Sequence, residues 1–307
     1  MSLIQKYIWV IKTIQQAGRI TLKDLSKKWR GNVDLSGGLD LQRQTFDRWK
    51  DGILDMFGII IECEGRGRYN YFIANPEVLN DGELQNWLLD TYGTADTLLG
   101  NLAIHDRILT ESIPSSQSFL TIVLEAMKTN RILKITHRSF DSEKAGVLHV
   151  EPYCVKMSAQ RWYLLARNVE MNHLHLYALD RMEDVLITET RFHLPKDFDA
   201  NQYFSEYFGI VIDEKVPVQR IVLRADKFHQ NYMRTLPLHP TQKEIFSCDE
   251  YADFELRLRL TYDFYMKLMS FGNMVKVMEP QSLRDELCKW LRKTMEIYSD
   301  YSPAAKD

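Results

Sequence analysis

The sequence contains little cysteine and no long apolar run. Its four cysteines are scattered over 307 residues, without the spacing of a metal site or the density of a disulfide scaffold. No segment approaches the roughly 20 uninterrupted apolar residues of a membrane span, and the first residues lack the layout of a signal peptide. We therefore expect a cytoplasmic protein with no membrane partner and with buried, reduced thiols. The cysteines are Cys63, Cys154, Cys248 and Cys288.

Motifs of catalysis and of metal binding are also missing from the sequence. There is no Gly-x-Ser-x-Gly elbow, no Gly-x-x-x-x-Gly-Lys-Ser/Thr phosphate loop and no His-Glu-x-x-His pair. His173 and His175 come nearest to metal spacing, but no third ligand of a suitable type is close in the sequence. An RNA-processing enzyme would need acidic residues facing the basic ones, and the pattern shows none. We therefore predict a protein that is not an enzyme and that has no catalytic residue, metal or cofactor.

The charge of the chain is small but unevenly distributed. The formal net charge is -3, with 45% apolar and 26% charged residues, as in an ordinary soluble protein of two or three domains. Residues 1–75 contain twelve Lys and Arg against eight Asp and Glu, so the excess of acid lies in the remainder of the chain. A basic first quarter indicates that this end meets nucleic acid.

The first 75 residues have the pattern of three helices followed by a β-hairpin. Isoleucines recur at helical spacing from Ile4 to Ile14, and Thr21 begins a capping-box pattern ahead of a second helix. Residues 58–73 read as two short apolar strands around a tip rich in glycine and arginine. In such a winged helix-turn-helix, the third helix enters the major groove and the hairpin reaches the backbone or the minor groove. The third helix, after the loop Gly31–Gly38, is predicted to bury Phe46, Trp49, Ile53 and Phe57.

The polar face of the third helix and the hairpin tip are predicted to contact double-stranded DNA. Gln and Arg side chains can read adenine and guanine edges, whereas the other basic residues suit phosphates, which position the protein without specifying a sequence. The alternative is a protein-interaction module with an incidental hairpin. Gly52, inside the third helix, has no explanation in the pattern and costs about 1 kcal/mol relative to alanine. The predicted DNA-binding residues are Gln42, Arg43, Gln44, Thr45, Arg48, Lys50, Arg66 and Arg68.

Changes of pattern divide the rest of the chain into a linker and two domains. Residues 76–128 are predicted to form a helical linker, which either only connects domains or also carries a dimer contact. Residues 129–195 contain five short predicted strands, which suit a small, partly closed barrel. Residues 213–302 alternate strands and helices, which is typical of a ferredoxin-like α+β sandwich. The sequence therefore predicts a multidomain α+β protein.

Two strands of the predicted barrel combine apolar with polar residues in strict alternation. Because successive side chains of a strand point to opposite faces, each strand has one apolar and one polar face. A sheet surface rich in Arg, His and Tyr suits a polyanion or a nucleotide, and an ordinary solvated face is the alternative. The predicted polar surface comprises Arg161, Tyr163, Arg167, His173, His175, Tyr177 and Arg181, opposite Trp162, Leu164, Ala166, Leu174, Leu176 and Ala178.

The chain resembles the WYL-domain transcriptional regulators over nearly its full length. The triad that gives the family its name is Trp162-Tyr163-Leu164 here, and Glu151-Pro152-Tyr153 precedes it. Tyr177-Ala178-Leu179-Asp180-Arg181 follows it, and residues 275–284 resemble the hallmark of the family's C-terminal extension. The resemblance implies an N-terminal winged helix, an Sm/SH3-like barrel as the sensor and a ferredoxin-like C-terminal domain.

The resemblance also implies a homodimeric regulator, in a family with many members linked to DNA damage or phage defence. The barrel would bind a nucleic-acid fragment or a nucleotide-like ligand. An aromatic residue is commoner in the family where this chain has His137-Arg138. The ligand-facing residues implied by the resemblance are His137, Arg138, Arg161, Tyr163 and Arg181.

Residue patterns and resemblance together predict a ligand-responsive, DNA-binding transcriptional regulator. The competing hypothesis is an accessory protein that binds single-stranded nucleic acid or nucleotides and whose winged helix is a protein contact. Salt dependence separates the two, because duplex binding by a dimer neutralises several phosphates and has a steep salt slope.

Overall fold

The structure, a computed structural model, describes residues 3–65, 67–80, 84–100, 106–109, 117–138 and 145–299. The chain divides into two compact units, Met1–Glu111 and Ser112–Asp307. Both units combine helices with antiparallel sheet, so the chain is a multidomain α+β protein as predicted.

The first unit begins with helices whose ends follow from the local sequence. The second helix starts after Thr21, whose Oγ1 accepts a hydrogen bond from the backbone N–H of Asp24 at 3.1 Å. The fourth helix ends at Gly58. Its φ of +65° is a backbone conformation that would be strained for a residue with a side chain. The helices and strands are α1 (Leu3–Ala17), β1 (Ile20–Thr21), α2 (Leu22–Gly31), α3 (Val33–Ser36), α4 (Arg43–Phe57), β2 (Ile61–Cys63), β3 (Asn70–Ile73) and α5 (Leu84–Gly100).

Aromatic packing holds these helices around one core. Trp29 lies between Trp9 and Trp49, with ring centroids 5.1 Å away on either side in edge-to-face geometry. Helix α4 buries the four residues predicted from its periodicity. Trp49, predicted to be buried, lies in this core together with Trp29. The predicted loop between α2 and α4 differs in one respect, since it contains the single turn α3.

A three-stranded sheet of order β1-β3-β2 completes this unit. The hairpin of β2 and β3 has the predicted antiparallel pairing, with Ile61 opposite Ile73. Asn75 closes the base of the hairpin, because its side chain accepts from the N–H of Ile60 and donates to the carbonyl of Gly58, both at 2.8 Å. Strand β1 is not foreseen from the sequence, since two residues are too few to show an alternation.

The second unit contains a five-stranded antiparallel sheet of order β7-β6-β5-β4-β8. Helix α6 covers one face of this sheet, where Val123 and Ala126 are buried against Leu133, Ile135 and Leu164. A segment after β8, which includes the short helix α7, covers the other face. The elements are α6 (Gln117–Thr129), β4 (Arg131–His137), β5 (Gly146–Ser158), β6 (Arg161–Asn168), β7 (His173–Ala178), β8 (Met182–Arg191) and α7 (Ala200–Phe204).

A second, four-stranded sheet follows, with the order β10-β11-β9-β12. The side chains of β11 alternate between the two faces of this sheet, and Phe254, Leu256 and Leu258 are buried in its core. On the other face, Arg224 donates two hydrogen bonds of 2.8 Å to the carboxylate of Asp253. The elements are β9 (Val218–Asp226), α8 (His229–Thr235), β10 (Lys243–Ser247), β11 (Tyr251–Arg259), α9 (Tyr262–Ser270), β12 (Val275–Glu279) and α10 (Gln281–Ser299).

The structure corrects the prediction that the cysteines are buried. All four are free thiols, but Cys63, Cys248 and Cys288 are exposed and Cys154 is only half-buried. In the part of the chain that the structure describes, no helix is long and apolar enough to cross a membrane. The described residues likewise contain no group of three or more His, Cys, Asp or Glu side chains placed to hold a metal ion.

Candidate functional site

The predicted DNA-binding residues of α4 lie on its exposed first turns. Gln42 is the N-cap residue, and Arg43, Gln44 and Arg48 are exposed while Thr45 is half-buried. Because no side chain caps this terminus, the first backbone N–H groups of the helix are free to meet an anion. The terminus therefore presents polar side chains and backbone donors together.

Asp47 moderates the charge of this helix. Its carboxylate lies 3.8 Å from Arg43 Nε and 3.2 Å from Lys50 Nζ. Arg43 is exposed, so its ion pair is weak and is easily exchanged for another partner. Lys50 has only 24% of its side chain exposed and lies over the rings of Phe46 and Tyr71, 5.8 Å and 5.4 Å from their centroids. Lys50 thus packs against the core as much as it faces solvent.

The hairpin tip places Arg68 in solvent, whereas Arg66 lies outside the described residues. Gly67 has φ +94° and Tyr69 has φ +46°, so the tip turns back sharply. The side chain of Tyr69 is 65% exposed, which is high for an aromatic residue. Tyr69 is not among the predicted DNA-binding residues, although its position between Arg68 and the start of β3 is visible in the sequence.

In the second unit, the register of β6 and β7 contradicts the predicted polar surface. Tyr163 pairs with Ala178, and Ala166 pairs with His175. Residues that are directly opposite on neighbouring strands share a face, so the polar residues of β6 lie on the same face as the apolar residues of β7. The prediction of one continuous Arg, His and Tyr surface is therefore wrong.

The side chains His137, His175 and Tyr177 lie together on the face of the sheet that α6 covers. The ring of Tyr177 is in edge contact with both imidazoles, 5.4 Å from the centroid of His137 and 4.9 Å from that of His175. His137 is only 7% exposed. This aromatic group sits at the end of the buried core that is formed by Leu133, Ile135 and neighbouring residues.

Charged residues border the histidines at the turn Leu179–Arg181. The Arg161 guanidinium Nε lies 3.6 Å from the Asp180 carboxylate, of which little is exposed. The backbone N–H of Arg138 donates to the carbonyl of Arg181 at 3.0 Å. The guanidinium Nε of Arg138 donates to the Glu183 carboxylate at 2.9 Å. Four predicted ligand residues, His137, Arg138, Arg161 and Arg181, thus surround one turn of chain, and we refer to these four with His175, Tyr177 and Asp180 as the histidine–arginine cluster.

Burial keeps the imidazoles of this cluster neutral. Desolvation, followed by the charges of Arg181 and His175, lowers the pKa of His137 to about 4. Desolvation also lowers the pKa of His175, with smaller contributions from His173 and Arg181. Among the described residues, His137 Nε2 and Asp180 Oδ1 are buried without a hydrogen-bond partner. Buried polar atoms without partners are costly, so both atoms would gain from a polar ligand.

Tyr163 is not brought to this cluster. It is 7% exposed and packs with Leu165 and Leu176 against the segment that includes Phe198 and Tyr203. Its role in ligand binding stays a prediction, on the opposite face of the sheet. His175, Tyr177 and Asp180 are not among the ligand-facing residues that the resemblance implies, although the alternation His173-x-His175-x-Tyr177 is a sequence signal for two of them.

Comparisons with known proteins identify two domains in the second unit. The family model of the WYL domain matches residues 118–187, and that of the WCX domain matches residues 217–295. The first match contains the five-stranded sheet up to β8, and the second contains the four-stranded sheet. No curated protein sequence matches the chain.

Two solved structures are similar to the chain at low sequence identity. One is proteasome accessory factor B/C (PafBC) of Arthrobacter aurescens, with 18% identity and a TM-score of 0.41, covering 99% of this chain and 48% of that chain. The chain therefore spans about half the length of this relative. The other is described as a CRISPR Cas-related protein, with 11% identity and a TM-score of 0.39, covering 97% of this chain and 85% of that chain. The two domain matches show that the chain contains a WYL domain followed by a WCX domain.

Proposed function

We propose that this chain is a DNA-binding transcriptional regulator whose WYL domain senses a nucleic-acid fragment or a nucleotide-like ligand. The observation that carries the proposal is the exposed, uncapped start of α4, which carries Arg43 and Gln44 in the same unit as a hairpin with Arg68 at its tip. A recognition helix needs polar side chains at its first turn, and a wing needs a cation at its tip.

The proposal includes a domain arrangement and a cellular role. Residues 1–75 would be a winged helix-turn-helix, 76–128 a helical linker, 129–195 an Sm-like barrel and 213–302 a ferredoxin-like domain. In support of the last, the elements from β9 to β12 follow the order β-α-β-β-α-β. The regulator would be a cytoplasmic homodimer, without enzymatic activity, and would act in the stress response or in phage defence.

The ligand would act by changing the populations of two arrangements of the dimer. It shifts DNA affinity only as far as its affinity for those two arrangements differs. The histidine–arginine cluster is the proposed ligand site. Its arginines supply donors for a phosphate, and its neutral imidazoles have capacity for further hydrogen bonds.

The first test is binding to the DNA upstream of the chain's own gene, compared with a scrambled duplex at physiological salt. We expect specific binding that weakens steeply with salt, because each neutralised phosphate adds about 0.9 to the slope of log K against log salt. Equal and weak binding to both duplexes, with and without short single strands, would contradict the proposal.

Substitutions on α4 and at the hairpin tip should have different effects on DNA binding. Arg43→Ala or Gln44→Ala is expected to reduce discrimination at one base pair by about 1–3 kcal/mol, since these side chains would read base edges. Arg68→Ala is expected to weaken binding to all sequences and to lower the salt slope by about 1. Binding to a set of operator variants measures both effects. Lys12→Ala, on α1, is the control, and a uniform loss in all the α4 and tip variants would refute base reading by α4.

Arg181→Ala should separate ligand sensing from DNA binding. We expect normal operator affinity but a response to ligand that is at least tenfold weaker, because a charge-assisted hydrogen bond to a phosphate is worth about 1.5–3 kcal/mol. The measurement is operator binding titrated with short single-stranded DNA and with nucleoside monophosphates. Arg191→Ala, at the exposed end of β8, is the matched control. An unchanged response in Arg181→Ala would remove the histidine–arginine cluster as the ligand site.

The alternative function is an accessory protein for single-stranded nucleic acid or nucleotides. The partnerless buried atoms of His137 and Asp180 favour it, since they offer binding capacity that does not require a DNA duplex. Tight single-strand binding that Arg181→Ala abolishes, with no preference for any duplex, would support this alternative over the regulator.

A further inference from the structure

Polar contacts close the neck of the hairpin that β2 and β3 form in the first unit. The backbone N–H of Glu64 donates to the carbonyl of Asn70 at 2.9 Å, and the Asn70 side-chain amide donates to the Glu64 carboxylate at 3.0 Å. Arg19, between α1 and β1, forms an ion pair with the same carboxylate. The Arg19 guanidinium also lies 5.5 Å from the centroid of the Phe72 ring. Residues 65–69 are therefore a short tip on a fixed base.

The charge of the hairpin is positive at its tip. The neck carries one carboxylate, that of Glu64, but only 14% of this side chain is exposed and Arg19 neutralises it. At the tip, Arg68 is exposed to solvent. A positive tip above a neutralised neck suits the strong negative potential of a DNA duplex.

The tip holds a tyrosine in a backbone conformation that this residue rarely adopts. Gly65 has φ +58° and Gly67 has φ +94°, which glycine adopts without strain. Tyr69 has φ +46°, where the Cβ atom of an L-residue is crowded. The fold gains little from the ring in return, because 65% of Tyr69 is exposed. A strained residue at an exposed position motivates the hypothesis of a functional contact.

Strand β3 fixes the position of this tip relative to α4. Tyr71 is 6% exposed, and its ring meets that of Phe46 on α4 at 4.8 Å between centroids. Lys50 of α4 lies over the same tyrosine ring, 5.4 Å from the centroid. Because only Asn70 separates Tyr69 from this contact, the tip cannot move far without separating the rings. A ligand bound by α4 therefore meets the tip in a constant orientation.

We propose that Tyr69 enters the minor groove of the bound DNA beside Arg68 and lays its ring against the deoxyribose sugars. This inference rests on the proposed function, because it requires a duplex that α4 holds. The sugars on the walls of the groove offer apolar surface to a ring, and proteins that bind this groove insert apolar side chains there. The negative potential of a narrow minor groove also attracts an arginine. A contact to phosphates alone would need only the cation.

Operator binding at several salt concentrations tests the role of the ring. We expect Tyr69→Ala to weaken binding about tenfold, since that is what the partial burial of an aromatic ring contributes. The salt slope should stay unchanged, because the ring neutralises no phosphate, whereas Arg68→Ala lowers the slope by about 1. Tyr69→Phe keeps the ring and should bind within about threefold of the unaltered chain. Tyr232→Ala, at a tyrosine of similar exposure on α8, is the matched control and should have no effect.

Modified base pairs locate the contact in the minor groove. When the base pairs that flank the operator are replaced in turn, G·C should bind more weakly than A·T at the position under the tip. The reason is the amino group of guanine, which projects into the minor groove. Inosine lacks this amino group and leaves the major-groove edge of the pair unchanged, so inosine should restore the affinity. Tyr69→Ala should reduce this preference, and Tyr69→Phe should keep it.

A stability measurement separates a DNA contact from a role in folding. Asparagine adopts a positive φ more readily than tyrosine does. Tyr69→Asn should therefore weaken operator binding as Tyr69→Ala does, without lowering the urea midpoint of the first unit. A residue that only supported the hairpin would lower both quantities together.

Three results would overturn the inference while leaving the regulator in place. The first is operator binding by Tyr69→Ala that equals that of the unaltered chain. The second is a failure of inosine to restore the affinity, which would place the ring outside the minor groove. The third is a loss of affinity for single strands but not for the duplex, which would mean that the ring stacks on unpaired bases. If the unaltered chain binds no duplex specifically, the proposed function fails together with the inference.

Discussion

Gly52→Ala is expected to destabilise the first unit by about 2 kcal/mol, although alanine is the better helix former. A Cβ at position 52 would lie 2.7 Å from Cζ and 3.0 Å from Cε2 of Tyr7, whose ring rests on this glycine. Forcing extra atoms into a packed core costs about 1–3 kcal/mol. Tyr7 projects from α1 and is buried in the core of this unit, so its ring has little room to move aside. Urea denaturation followed by circular dichroism measures the change.

The partner variant Tyr7→Leu reverses the sign of this effect. Once the ring is gone, Gly52→Ala should be neutral or stabilise the unit by up to about 1 kcal/mol, the difference in helix propensity. Gly93→Ala in α5 is the matched control, since its Cβ would meet only Ile8 Cδ1, at 3.9 Å. A destabilisation of equal size with and without Tyr7 would show that the close approach to the ring is not the cause.

His137→Gln is expected to make the second unit less sensitive to acid. The folded chain protonates His137 only near pH 4, whereas an unfolded chain does so near its ordinary pKa of 6.5. Between these values the unfolded state binds more protons, so stability is complete above about pH 6.5 and is lost as the pH falls to 4. The contribution of His137 is at most on the order of 3 kcal/mol. Urea midpoints measured from pH 7 to pH 4 give the slope of the free energy of unfolding against pH.

His239 contributes to the same slope, because burial and then the charge of Lys156 lower its pKa to about 4 as well. We therefore expect His137→Gln to remove part of the histidine-dependent slope and the double variant with His239→Gln to remove more of it, while His175, whose pKa burial also lowers, retains a share. His193→Gln, at an exposed position, is the control and should leave the slope unchanged. Parallel pH profiles for the unaltered chain and the double variant would contradict the assignment.

The periodicity of the sequence predicts the helices correctly, but it does not predict the register in which neighbouring strands pair. The positions of Phe46, Trp49 and Ile53 on one face of α4 follow from 3.6 residues per turn, which is a local property. Whether Tyr163 shares a face with Leu176 or with His175 depends on the register of β6 against β7, which the turn between them sets. Asn172 adopts φ +54° in that turn, and alternation within each strand carries no information about it.

The burial of both sheet faces explains the other error at the candidate site. An alternating strand predicts one wet face, and Tyr163 belongs to that face by its position in β6. The segment that includes Phe198 and Tyr203 covers that face, and nothing within β6 reveals a partner that is 35 or more residues distant. Gly52 is a similar case, since only the fold brings Tyr7 against it.

The covered second face of the WYL sheet also bears on how this domain is inherited. The family match ends at residue 187, yet Tyr163, Leu165 and Leu176 depend for their burial on residues up to Ile212. A gene rearrangement that cut the chain directly after β8 would leave those side chains in water and invite aggregation. Recombination can therefore transfer the WYL domain intact to a new protein only when it also transfers the segment through Ile212. The unit that is inherited is thus longer than the part that the family model matches.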